Sequence, residues 1–200
     1  MSPSRGIVRS MMAAAQSIAA AIVLLGSAAA MAQPVNGHRV DVPTHTVQPS
    51  PVFKQGFALH LGYHSDYKKA TLAYESPKIW THQFQNGWGK LDLDVELGIS
   101  YWKADRSQSM WQLSAIPMLR WWPNEGVYLE IGSGPTVLSR SEFAGSDLGT
   151  HFQFGSHLGT GILINDAHRI GIRYSHYSNA GIKKPNPGLD VIGVAYSYQF

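Results

Sequence analysis

A hydroxyl, an imidazole and a carboxylate stand close together near the C-terminal end of this 200-residue chain. In the stretch Arg173-Tyr174-Ser175-His176-Tyr177-Ser178-Asn179, His176 and Ser178 are two residues apart. On an extended strand that spacing puts both on one face. Asp190 lies near the start of the next alternating segment, beyond a connection rich in Gly, Pro and Asn. If that connection folds symmetrically about 183–184, Asp190 sits opposite His176 and Gly188 opposite Ser178, with opposed Cβ atoms about 5 Å apart. The resulting order is acid, imidazole, hydroxyl. An imidazole can take the hydroxyl proton, and a carboxylate can hold its tautomer and stabilise its charge. Singly, each residue has an ordinary explanation: a structural strand histidine, a common serine, an aspartate beside a turn. Jointly they lie on a face that otherwise meets lipid (Ile170, Ile172 and Tyr174 before them, Ile192 and Val194 across). Polar groups on a lipid-facing surface are costly in a depth-dependent way, so their grouping there points to function.

The elements that must hold these residues are strands. Period-two alternation runs through 56–64, 70–74, 90–102, 110–122, 127–138, 151–164, 169–179 and 189–200. In the third segment Leu91, Leu93, Val95, Leu97, Ile99 and Tyr101 share one face, and Asp92, Asp94, Glu96, Gly98 and Ser100 the other. Eight strands of about ten residues have the length that crosses a bilayer obliquely. The expected fold is therefore all-β, an eight-stranded antiparallel transmembrane barrel of the outer-membrane type. Its apolar face would meet lipid, and its small and charged face would fill a narrow lumen. Trp80, Trp88, Trp102, Trp111, Trp121, Trp122 and Tyr128 lie near strand ends and suit the two membrane interfaces. A soluble lipocalin-like barrel would reverse the two faces. The aromatic placement and the low charge, 14% of residues, favour lipid. The tight turns around 123–126 and 165–167 and the longer loop at 140–150 place both termini in the periplasm.

Residues 1–32 read as a cleaved secretory signal. Arg5 and Arg9 precede an uncharged apolar run, and Ala30-Met31-Ala32 forms a small-residue cleavage site. Residues 33–55, with Pro34, Pro43, Pro49 and Pro51, read as an extended periplasmic leader, and 56–200 as the barrel. The whole chain carries 16 Lys+Arg against 13 Asp+Glu; without Arg5 and Arg9 the balance is 14 against 13, or +1. That charge excludes a nucleic-acid binder built on neutralising phosphates. The chain has no cysteine, which excludes disulfides, thiolate metal sites and cysteine nucleophiles. The nine histidines are scattered, with His60 and His64 the nearest pair on one face, so no metal is expected.

The block His176-Tyr177-Ser178-Asn179-Ala180-Gly181 and the Pro185-Asn186 spacing resemble the signature of the lipid A 3-O-deacylase (PagL) family of Gram-negative outer membranes. The resemblance is strongest over residues 170–200 and looser back to 56. It implies an eight-stranded barrel that removes the ester-linked acyl chain at the 3-position of lipid A, without a cofactor. By motif position Ser178 would be the nucleophile and His176 the general base. The family's third member is a glutamate; Asp190 occupies that position and is shorter by one methylene. Asn179 matches the family's oxyanion-hole asparagine, and the Gly181 amide is a second candidate donor. Lys183 and Lys184, in the adjoining loop, either attract lipid A phosphates or simply solvate the loop. The implied partners are lipopolysaccharide and the membrane, and a homodimer is compatible with the sequence. Two other readings stand beside this one. A non-catalytic structural or adhesin-like barrel predicts no dependence on Ser178, and a phospholipid hydrolase or acyltransferase predicts a different product.

Overall fold

The computed structural model describes residues 54–105 and 108–200. The signal peptide expected at 1–32 and the leader at 33–55 lie outside the described residues, apart from Lys54 and Gln55.

The strands are β1 (Gly56–His64), β2 (Tyr67–Glu75), β3 (Trp80–Gln83), β4 (Lys90–Ala104), β5 (Met110–Trp122), β6 (Val127–Leu138), β7 (Glu142–Phe143), β8 (Ser146–Asp147), β9 (Phe152–Ile164), β10 (His168–Ser178) and β11 (Leu189–Gln199). Eight of them, β1, β2, β4, β5, β6, β9, β10 and β11, form a closed antiparallel barrel. The pairings β1–β11 and β2–β4 complete the ring. Closure gives every barrel strand a partner on both sides, which the hydrocarbon region requires of its backbone groups. The short β3 adds to the start of β4, and β7 and β8 form a small hairpin in the 139–151 connection.

Strand parity sorts the side chains. Phe57, Leu59, Leu61, Leu97, Ile99, Leu113, Ile172 and Val194 face outward and are exposed. The opposite parity fills the barrel. Arg120 pairs with Glu75, Asp94 and Glu130; Arg169 pairs with Glu75; Arg173 bridges Glu130 at 2.7 Å and Glu96 at 2.9 Å. Paired, hydrogen-bonded charges are the form in which ionised groups persist out of water. Toward the end where β10 finishes, an apolar cluster takes over, including Tyr67, Trp102, Met110, Leu138, Phe143, Leu148 and Tyr177. Phe143, carried by the β7–β8 hairpin, packs edge-on against Tyr67 and Trp102. The interior is a packed core.

Three expectations need correction. The second strand runs from Tyr67 to Glu75, so it starts earlier than 70 and brings Tyr67 and Glu75 into the interior. Trp102, Trp122 and Tyr128 do not face an interface: they are 0%, 7% and 3% exposed. Their parity is that of the inward charges, since Trp102 follows Asp92, Asp94 and Glu96 at even spacing. Finally, turn length does not alternate throughout. β1 and β2 join through Ser65 and Asp66 alone, at the same end as the long 139–151 connection, whereas 76–89 is long at the opposite end.

Candidate active site

β10 and β11 pair with His176 opposite Asp190 and Tyr177 opposite Leu189, where the ladder ends. Gly188 and Ser178 are therefore not a ladder pair. The backbone N–H and C=O of Asp190 both engage the Tyr67 hydroxyl, at 3.0 and 3.2 Å. In an antiparallel strand these two groups point to the same side, here away from β10. His176 and Asp190 thus form a non-hydrogen-bonded pair, the type whose side chains approach most closely. That geometry lets the short aspartate reach: His176 Nδ1 and Asp190 Oδ1 are 2.8 Å apart. With Nδ1 engaged by the carboxylate, Nε2 is the ring nitrogen left for chemistry.

His176 and Ser178 keep the outward parity of Ile170 and Ile172, which are 43% and 58% exposed, yet they are only 4% and 6% exposed themselves. On one side Ser156 and Phe154 of β9 stand opposite His176 and Ser178, and on the other Asp190 of β11 stands opposite His176. Gly188, at φ +75°, lies against the imidazole; a Cβ there would stand 2.7 Å from His176 Cε1. Ser178 is the last residue of β10, and among the described residues its hydroxyl makes no hydrogen bond, so it is not bonded to His176.

The two expected oxyanion donors are not free. Asn179 is fully buried and donates from Nδ2 to the carbonyls of Leu148 (2.9 Å) and Lys183 (2.8 Å). Its backbone N–H donates to Asn186 Oδ1 at 3.0 Å, and the Gly181 N–H donates to Asn179 Oδ1 at 2.9 Å. The Asn179 side-chain amide ties 179–188 to itself and to the neighbouring loop. The reason is positional, because Asn179 lies just past the strand end where loop carbonyls need donors. Lys183 and Lys184 are exposed on the same connection. Sequence reading missed the contacts of Tyr67 and Tyr174 with Asp190. Tyr174 donates its hydroxyl to Asp190 Oδ1, and Tyr67 reaches the Asp190 backbone across the gap where the β1–β11 ladder has ended.

A closed, filled antiparallel barrel of eight strands with an apolar exterior defines a class, the small outer-membrane barrels. The profile of the family described as lipid A 3-O-deacylase (PagL) matches residues 68–199. The chain is 53% identical over 158 residues to the lipid A deacylase PagL of Bordetella bronchiseptica, covering 78% of this chain and 88% of that protein. It is 27% identical over 129 residues to the lipid A deacylase PagL of Pseudomonas aeruginosa, covering 62% and 73%. A crystal structure of the outer-membrane enzyme PagL superposes with a TM-score of 0.65 at 23% identity, covering 72% of this chain and 98% of that one, a likeness of fold. The chain belongs to the lipid A 3-O-deacylase (PagL) family, ester hydrolases of the Gram-negative outer membrane.

Proposed function

We propose that Ser178, His176 and Asp190 act as a nucleophile–base–acid triad that removes the 3-O-linked acyl chain of lipid A at the outward surface of the barrel. The observation that carries this reading is the 2.8 Å contact between His176 Nδ1 and Asp190 Oδ1, two residues from a hydroxyl on the same face. His176 Nε2 takes the Ser178 proton as Oγ attacks the ester carbonyl. Asp190 stabilises the imidazolium that forms. The imidazolium then protonates the departing O3 oxygen of the sugar, leaving an acyl-serine. Water, activated by the same imidazole, releases the fatty acid and restores the serine. The Ser178–His176 hydrogen bond is one that substrate must complete, as happens when catalytic contacts tighten only in the Michaelis complex.

The oxyanion donors in this reading are the backbone N–H groups of Asn179 and Gly181. Each now points at a side-chain amide oxygen, Asn186 Oδ1 and Asn179 Oδ1, and a substrate oxygen would displace that acceptor. Lys183 and Lys184 supply positive charge beside the site for lipid A phosphates. The triad is contained in one chain, so a homodimer would add no residue to it.

The test is mass spectrometry of lipid A from cells expressing the wild-type chain or Ser178→Ala at matched membrane levels, with detergent-solubilised protein assayed in parallel. Loss of a 3-hydroxyacyl group from position 3 with wild type alone supports the reading. Equal loss with Ser178→Ala removes Ser178 as nucleophile, and intact lipid A in both settings favours the non-catalytic barrel.

A further inference from the structure

We infer that Tyr67 and Tyr174 are positioning residues for Asp190, holding its backbone and its carboxylate, respectively, so that an aspartate serves as the acid. The inference rests on the triad reading above.

The backbone comes first. The β1–β11 ladder runs as far as Tyr63↔Ile192, so Asp190 lies beyond its last pair. Its N–H and C=O face that unpaired side. Tyr67, reaching from the interior side of β2, supplies one hydroxyl that accepts from Asp190 N–H at 3.0 Å and donates to Asp190 C=O at 3.2 Å. A single hydroxyl thereby stands in for the missing ladder residue, and it is immobilised. The Tyr67 ring is buried, packs on Trp102 and Phe143 at centroid distances of 5.7 and 5.6 Å, and stacks on His64 at 4.3 Å.

The carboxylate is fixed from the other face. Tyr174, two residues before His176 and therefore on the same side, donates to Asp190 Oδ1. That same oxygen meets His176 Nδ1 at 2.8 Å. Two donors on one oxygen select one χ1/χ2 setting of the aspartate, and that setting points Oδ1 at the imidazole. A glutamate has a further torsion and a longer reach, and would not need this support. Neither tyrosine touches the hydroxyl or the reacting ester in this arrangement; both act through Asp190.

The test uses the purified full chain in detergent with lipid A as substrate, and heat-modifiable gel mobility as the check on barrel assembly. Tyr174→Phe keeps the ring and removes one hydrogen bond to a charged group. It is expected to lower kcat about 10-fold with KM little changed. In the Asp190→Glu background the same change is expected to alter kcat by less than about two-fold, since the longer acid does not depend on Tyr174. Tyr67→Phe is expected to lower kcat about 10-fold in both backgrounds, because it loosens the backbone under either acid. An equal loss from Tyr174→Phe in both backgrounds, a loss confined to KM, or no loss at all would overturn the inference. Ser178→Ala measured alongside separates the two levels: activity surviving there removes the triad itself, whereas an inactive Ser178→Ala with a fully active Tyr174→Phe removes only the positioning role.

Discussion

At the scale of single residues the chemistry depends on three groups with unequal demands. Ser178→Ala and His176→Asn remove the nucleophile and the base, and each is expected to lower deacylation by about 1000-fold or more. Barrel assembly should persist, because neither side chain belongs to the interior ion-pair lattice; released fatty acid and gel mobility check the two halves of that statement. Asp190→Asn keeps the shape but removes the charge that stabilises the imidazolium. A loss of about 100-fold is expected, read as kcat in detergent. Asp190→Glu is expected to keep activity within about 10-fold of the parent, because the Asp190 side chain is 27% exposed and the added methylene has space to bend toward solvent while the carboxylate stays on His176. The His176–Asp190 pair is legible in the amino-acid order: alternation sets the face and a symmetric loop sets the register. The donors are less legible. Asn179 and Gly181 stand at motif positions, but their hydrogen-bond partners are loop carbonyls and amides from 148, 183 and 186, which no local spacing encodes.

At the scale of elements, the pairing of β10 with β9 and β11 sets what stands beside His176, Ser156 on one side and Asp190 on the other. Gly188, just before β11, lies against the imidazole, and its positive φ already excludes most side chains. Gly188→Ala should both strain the turn and press on His176 Cε1. The expected outcome is a fall in kcat of about 10-fold or more with the barrel still assembled, measured by activity against gel mobility. Asn179→Ala removes the donors to Leu148 and Lys183, so the connection and its neighbouring loop lose their tie. Faster proteolysis of 179–188 in detergent-solubilised protein, together with reduced activity, is the expected result; unchanged cleavage would mean that the backbone alone holds the loop. The strand centres are readable from parity. The ends and the small pieces are not: β3 is four residues, and β7 and β8 are two each. Fragments so short carry no periodicity to detect.

At the scale of the whole molecule, paired charges fill the barrel interior and an aromatic-rich apolar cluster fills the end where β10 finishes. Arg173 is central, with Glu96, Glu130 and His60 all within hydrogen-bond distance. Arg173→Ala would leave Glu96 without its arginine and Glu130 dependent on Arg120. A destabilisation of about 3 kcal/mol or more is expected, read as an earlier unfolding transition in a lipid or detergent titration. Activity per folded molecule should stay within about three-fold, since Arg173 points into the lumen and the triad lies on the outward parity. A selective loss of activity at unchanged stability would reverse that division between interior and exterior.

The order of polar and apolar residues determined the architecture by itself. With a side-chain period of two, every strand carries its own record of which face meets lipid and which meets the lumen. That record also assigned Trp102 and Trp122 to the interior, against the habit of reading aromatic residues near strand ends as interface anchors. The tertiary structure alone decided what replaces the ladder where β1 stops. Tyr67 and Asp190 are 123 positions apart along the chain and meet only because the barrel closes. Face is a local property of an extended backbone, whereas closure depends on pairing between strands distant in sequence.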